Sequence, residues 1–198
     1  MTSGAELYGL VLSGGKSTRM GSDKGLIAYH GIPQREFLYG MLGDVCEQTF
    51  LSLREEQLAG VPEELKVILD ENRVRGPFNG LLSAHNRFPD AAWLVLACDL
   101  PLIDLAALKE LIAARDPEAM ATSFAKKENP LPEPMCAIWE PHAFKAALSY
   151  LEKGTNTCPR KFLINNDTKL VHPSDENVLW NANSEDEYRE ALEKLSAR

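Results

Sequence analysis

An uninterrupted apolar run, Leu7 to Leu12, stops at Ser13-Gly14-Gly15 and gives way to a loop that lasts to about Lys24. A short run without polar alternation reads as a strand buried on both faces, and the glycines that end it read as its exit loop. Phe37, Leu38, Met41, Leu42 and Val45 then recur at helical spacing, and Thr49 to Leu53 reads as a second strand. Lys66 to Leu69 and Trp93 to Ala97 predict two more strands, separated by a Gly-Pro loop and a short helix around Leu81 to Asn86. Leu105 to Ala114 predicts a further helix. Strands alternating with helices imply an α/β fold: one domain over residues 1–198, with a mostly parallel central sheet and helices on both faces.

The second half is less regular. Pro130, Pro132 and Pro134 precede an apolar run from Met135 to Trp139, and a helix is expected from about His142 to Leu151. Strand directions should be mixed there, at one edge of the sheet. The last helix is marked by a capping box, Ser184 with Glu187, and by the apolar stripe Tyr188, Leu192 and Leu195.

Composition removes several classes. The 198 residues carry 29 acidic against 21 basic side chains, a net charge of -8, which disfavours a nucleic-acid partner. The longest apolar run, Ala91 to Cys98, is too short to span a bilayer, and no basic residue precedes Lys16. The expected setting is therefore cytoplasmic, with no membrane partner. Cys46, Cys98, Cys136 and Cys158 form no Cys-x-x-Cys pair and read as reduced thiols. His30, His85, His142 and His172 are too scattered to suggest a metal centre, while Trp93 and Trp139 read as core.

In open parallel sheets the ligand lies beyond the carboxyl ends of the strands. Four clusters answer that rule: Ser13 to Lys24, Asp70 to Gly80, Cys98 to Pro101, and Asn181 to Ser184. The first reads SGGKSTRMGSDK, where Lys16, Arg19 and Lys24 outnumber the single anion Asp23. Glycines let backbone N–H groups approach phosphate oxygens, so a cationic glycine-rich loop at a strand end points to a phosphate ligand. It is not a Walker A loop, whose first glycine would fall on Leu10, and the dinucleotide fingerprint cannot be laid on Gly14 and Gly15 either. Asp99 follows the most hydrophobic strand, where a carboxylate is costly unless paired or bound to a cation.

Taken in order, Leu12-Ser13-Gly14-Gly15, Arg19-Met20-Gly21, Asp23-Lys24, Asp70, Gly76-Pro77-Phe78-Asn79-Gly80, Cys98-Asp99-Leu100-Pro101 and Asn181-Ala182-Asn183-Ser184 resemble the molybdenum cofactor guanylyltransferases. The resemblance covers nearly the whole chain. It implies a Rossmann-like nucleotidyltransferase domain that moves GMP from GTP to the terminal phosphate of molybdopterin, with or without molybdenum bound, and releases pyrophosphate. It implies Arg19, Lys24 and Asp99 as catalytic residues, with Asp99 holding Mg²⁺. Leu12, Ser13, Gly14, Gly15, Lys24, Ser52, Asp70, Gly76, Gly80 and Asp99 would contact the nucleotide, and Asn181 and Asn183 would line the acceptor and metal side. Other cofactor-biosynthesis proteins and molybdoenzyme chaperones are the implied protein partners.

One position departs from the pattern. Ser52 stands where the family commonly carries an asparagine, and a hydroxyl presents a smaller hydrogen-bonding group than an amide. Asn79 is a further candidate to reach the base or the pterin. Two other readings stay open at this point: cytidylyl transfer to the pterin or to a sugar or polyol phosphate, and a non-catalytic nucleotide-binding domain. Retention of Arg19, Lys24 and Asp99 together argues against the last.

Overall fold

The structure, a computed structural model, describes residues 4–14, 23–154 and 157–197. Among these residues a single seven-stranded sheet has the order β3-β2-β1-β4-β6-β5-β7. Its strands are β1 (Leu7–Leu12), β2 (Gln48–Leu53), β3 (Val67–Leu69), β4 (Ala92–Ala97), β5 (Ala121–Phe124), β6 (Cys136–Trp139) and β7 (Thr168–Val171). Pairs β1–β2, β2–β3, β1–β4 and β5–β7 are parallel, and β6 alone runs backward between β4 and β5. The mixed directions thus fall in the half toward the β7 edge. The connection from β5 to β6 carries no helix, so it returns antiparallel instead of crossing over.

The helices are α1 (Gln34–Gly43), α2 (Phe78–Arg87), α3 (Leu105–Ala113), α4 (Pro141–Glu152), α5 (Pro159–Ile164) and α6 (Glu185–Ser196). Alternate residues of the central strands feed two separate cores. Val11, Leu51 and Leu94 pack with Leu38 and Leu42 of α1 and Leu108 and Leu111 of α3. Leu10, Phe50, Trp93 and Val95 pack with Phe78 and Leu81 of α2, Phe144 of α4 and Phe162 of α5. This is why the strands lack polar alternation: each face needs its own apolar set. A third, smaller cluster seats α6, with Tyr29 and Tyr188 rings 5.2 Å apart and Ala191 buried between the elements.

The chain leaves β1 toward β2 and β3 on one side, then returns to place β4 on the other side of β1. The strand order therefore reverses at β1. The register sets Leu12 level with Ser52 and with Ala97, so Ser13 and Cys98 leave the sheet at one height and Asp70 one residue beyond it. A crevice at this point is where an open α/β sheet takes its ligand.

Candidate active site

The crevice is a cleft of about 950 Å³, lined by the ends of β1, β2, β3 and β4 and the loops that follow them. Leu12, Ser13, Gly14, Lys24, Ser52, Asp70, Gly76, Gly80 and Asp99, nine of the residues singled out in the sequence, line it together. Gly15 and Arg19 lie outside the described residues. Among the described residues four cations, Lys24, Arg54, Arg73 and Arg75, line the cleft with three carboxylates, Asp23, Asp70 and Asp99. In a chain of net charge -8 that excess of positive charge marks the cleft as a place for an anion.

Lys24 is the hub. It opens a 3-10 turn, Lys24–Leu26, capped by Asp23, whose Oδ1 accepts from the Gly25 N–H at 2.9 Å. Its ammonium donates to Asn183 Oδ1 at 2.6 Å and lies 3.9 Å from Asp99 Oδ2. Asn183 is fixed from two further directions. The Ala182 N–H donates to the Asp99 carbonyl at 2.9 Å, and the Asn183 N–H donates to Glu187 Oε2 at 2.7 Å. The expected capping box therefore closes one residue early: Ser184 Oγ accepts from the Glu187 N–H at 3.3 Å, while the glutamate reaches back to Asn183. That contact holds the Glu187 carboxyl below the usual carboxylate range. Asn181 behaves differently from Asn183, with Nδ2 donating to the Leu179 carbonyl at 3.2 Å within its own turn.

Asp99 is a quarter exposed at its side chain. Burial pushes its carboxyl above the ordinary range and the Lys24 ammonium offsets part of that. The turn after it is held in place by His30, whose ring nitrogen meets the Pro101 carbonyl at 3.0 Å. Cys98 beside it is buried and its thiol is pushed up to about 12 by that burial, so it stays protonated and belongs to the core rather than to the chemistry.

On the opposite wall, Ser52 Oγ donates to Asp70 Oδ1 at 2.6 Å. The small hydroxyl noted in the sequence thus orients the acid. Backbone presses on the same carboxylate from both sides: a Cβ built on Gly14 would run into Asp70 Oδ2, and one built on Gly80 would run into Ser52 Oγ and lie 2.7 Å from Leu12 Cδ2. Only glycine fits at these two positions without movement of the wall. Gly76 is needed for another reason, a φ of +77°. Asn79 is buried, and its Oδ1 accepts from the Arg73 N–H at 3.1 Å, so that oxygen shapes the 71–76 loop.

Sequence reading missed Arg54 and Gln57. Arg54 Nε donates to the Gly14 carbonyl at 2.7 Å, and Gln57 Nε2 donates both to the Ser13 carbonyl at 2.9 Å and to Asp23 Oδ2 at 2.6 Å. Both follow β2, a strand-end position, but their partners are largely backbone carbonyls, which leave no mark in the sequence.

Residues 9–169 match the model of the MobA-like NTP transferase domain. The molybdenum cofactor biosynthesis bifunctional protein of Synechocystis sp. is 38% identical over 183 residues, which cover 92% of this chain and 52% of that protein. A probable molybdenum cofactor guanylyltransferase of Flavobacterium johnsoniae is 33% identical over 124 residues, 62% of this chain and 63% of the relative. The chain thus spans about half the length of the first relative, and its match to the second covers under two thirds of that protein. Among solved structures, molybdopterin-guanine dinucleotide biosynthesis protein A from Archaeoglobus fulgidus superposes with a TM-score of 0.78 at 20% identity, covering 96% of this chain and 100% of the other. The fold, the cleft at the reversal of strand order and a family match over most of the sequence agree, and the chain belongs to the MobA-like NTP transferase domain family.

Proposed function

We propose that the protein is a nucleotidyltransferase that moves GMP from GTP to the terminal phosphate of molybdopterin, with or without molybdenum bound. The observation that carries this reading is Lys24, a cleft-lining cation held against both Asp99 and Asn183. In the reaction an oxygen of the acceptor phosphate attacks the α-phosphorus of GTP, the bond from that phosphorus to the bridging oxygen breaks, and pyrophosphate leaves. Negative charge grows on the α-phosphate oxygens and on the leaving group, so positioned cations supply most of the catalysis. Lys24 is the described cation best placed for that, and Arg19 of the same loop is assigned to the leaving group by the family pattern.

Asp99 suits a divalent cation. It is a carboxylate at the cleft with, among the described residues, one cation at 3.9 Å, too loose a pair to neutralise it, and its burial favours acquiring a further positive charge. Mg²⁺ accepts such a site, one protein carboxylate with phosphate oxygens and water for the rest. There it would neutralise charge on the phosphates.

Names of relatives support the acceptor: the similar proteins from Synechocystis sp. and Flavobacterium johnsoniae are named for molybdenum cofactor biosynthesis and guanylyl transfer. Base choice rests on hydrogen bonding. Guanine presents an acceptor at O6 and donors at N1 and N2, and adenine reverses that edge, so a cleft matched to one leaves buried polar groups unpaired with the other. In transfer to molybdopterin, followed by pyrophosphate release, GTP is expected to exceed ATP by at least about 100-fold in kcat/KM. A better rate with CTP would replace the guanylyl reading by the cytidylyl one.

Lys24→Ala is expected to weaken triphosphate binding and slow transfer together, because the ammonium acts on both ground-state and developing charge. A lost charge-assisted contact corresponds to about 1.5–3 kcal/mol, or roughly 10- to 100-fold in kcat/KM. Unchanged affinity in calorimetry of a stably folded variant would reduce Lys24 to a solvated loop charge.

A further inference from the structure

We infer that Gln57 is a positioning residue for Lys24, acting through Asp23; this rests on the role given to Lys24 above. Both ends of the primary amide are engaged. Its Oε1 accepts from the Arg54 N–H at 3.1 Å, and its two Nε2 hydrogens go to the Ser13 carbonyl at 2.9 Å and to Asp23 Oδ2 at 2.6 Å. Three partners of this kind, one donor and two acceptors, match an amide and no other side chain of that size.

The consequence lies in what those partners are. Ser13 and Asp23 stand at the two ends of the glycine-rich loop, one leaving β1 and the other capping the turn that begins with Lys24. Asp23 divides its oxygens between them: Oδ1 holds the Gly25 N–H at 2.9 Å and Oδ2 is held by Gln57. Gln57 therefore fixes the separation between the end of β1 and the backbone that carries Lys24. Arg54 reinforces the same stem by donating to the Gly14 carbonyl at 2.7 Å. Gln57 lies in the turn after β2 and does not line the cleft, so it acts on ligand only through these neighbours. Placing the ammonium 2.6 Å from Asn183 Oδ1 demands this definition, because catalysis by a positioned charge falls steeply when the charge moves by an ångström.

Two variants test the idea. Gln57→Met removes all three hydrogen bonds at constant length, and Gln57→Glu sets a carboxylate oxygen against the Ser13 carbonyl and Asp23. Each is measured alone and in the Lys24→Ala background. The expected result is a loss in kcat/KM of about tenfold for Gln57→Met and at least as much for Gln57→Glu, with less than about twofold further loss when Lys24 is already alanine. A second measurement needs no nucleotide: the rate at which acetic anhydride acetylates Lys24, followed by peptide mass spectrometry, should rise several-fold in both variants as the amine leaves Asn183. Equal losses in the two backgrounds, an unchanged acetylation rate, or a fall in Tm above about 10 °C for both variants would make Gln57 a structural residue only and overturn the inference. Faster acetylation in a protein that proves not to use GTP would leave Gln57 as the residue that positions Lys24 and would remove only the guanylyl reading.

Discussion

Asp99→Asn is expected to lower transfer to molybdopterin by on the order of 10²-fold or more at saturating Mg²⁺, while the thermal midpoint stays within a few degrees of the parent. The two halves of that expectation come from one feature. Burial pushes the Asp99 carboxyl above its ordinary range, so its charge is less well stabilised than in water, and Lys24 at 3.9 Å offsets this only in part. A neutral amide of the same size removes a poorly compensated charge and costs the fold little. Lys24 keeps Asn183 at 2.6 Å as a partner. Once substrate and cation are present the balance reverses, since the amide offers no charge to a divalent ion. Stability withheld from the empty cleft is thus available for binding, the usual compromise at a functional position. Pyrophosphate release measured against Mg²⁺ concentration checks it. A variant that keeps more than about a third of parental turnover would remove Asp99 from the metal role.

How far the sequence carried depends on whether a residue's partner is a side-chain pattern or a backbone group. The apolar run of β1 and the loop behind it were legible because burial on both faces leaves a composition signature, and the α/β order followed. β5 was not legible. Its residues Ala121 to Phe124 include Thr122 and Ser123, both fully buried, and nothing local says that Thr122 Oγ1 accepts from the Asp116 N–H at 2.9 Å or that Ser123 Oγ donates to the Glu133 carbonyl at 3.1 Å. Those distant partners are what let a polar pair sit in the sheet. β7 was hidden because it is a half-exposed edge strand, and α5 because six residues, the first a proline, hold too little periodicity. At the site, Asp99 and Lys24 could be singled out by charge and strand-end position. Gln57 and Arg54 could not be told from a solvated Arg-Glu-Glu-Gln run, since their partners are the carbonyls of Ser13 and Gly14. Asn181 and Asn183 show the same limit from the other side: identical residues two apart, of which the turn geometry delivers one to Lys24 and leaves the other on Leu179.

The contrasting experiment lies at the far end of the sheet from Asp99. Arg115, just past α3, makes a two-pronged ion pair with Glu140, Nε to Oε1 at 2.7 Å and Nη2 to Oε2 at 2.9 Å, and the same Nη2 donates to the Ala5 carbonyl at 2.9 Å. The Glu140 side chain is only 2% exposed and that of Arg115 15%. This pair ties the segment leading into β1, the end of α3 and the start of α4 to one another, and its planar fork satisfies both carboxylate oxygens. Removing one member leaves the other charge buried without its partner, which typically costs about 3–5 kcal/mol. Glu140→Ala is therefore expected to lower the unfolding free energy by that amount in urea titration, a large part of the 5–15 kcal/mol typical of a whole domain. Because Glu140 does not line the cleft, the folded fraction at low temperature should keep parental kcat and KM. Replacing both members with apolar residues of similar volume should recover most of the loss, since no charge is then left unpaired. A Glu140→Ala protein as stable as the parent would mean that water reaches Arg115 freely, and one with normal stability but impaired transfer would tie this distant joint to the cleft instead.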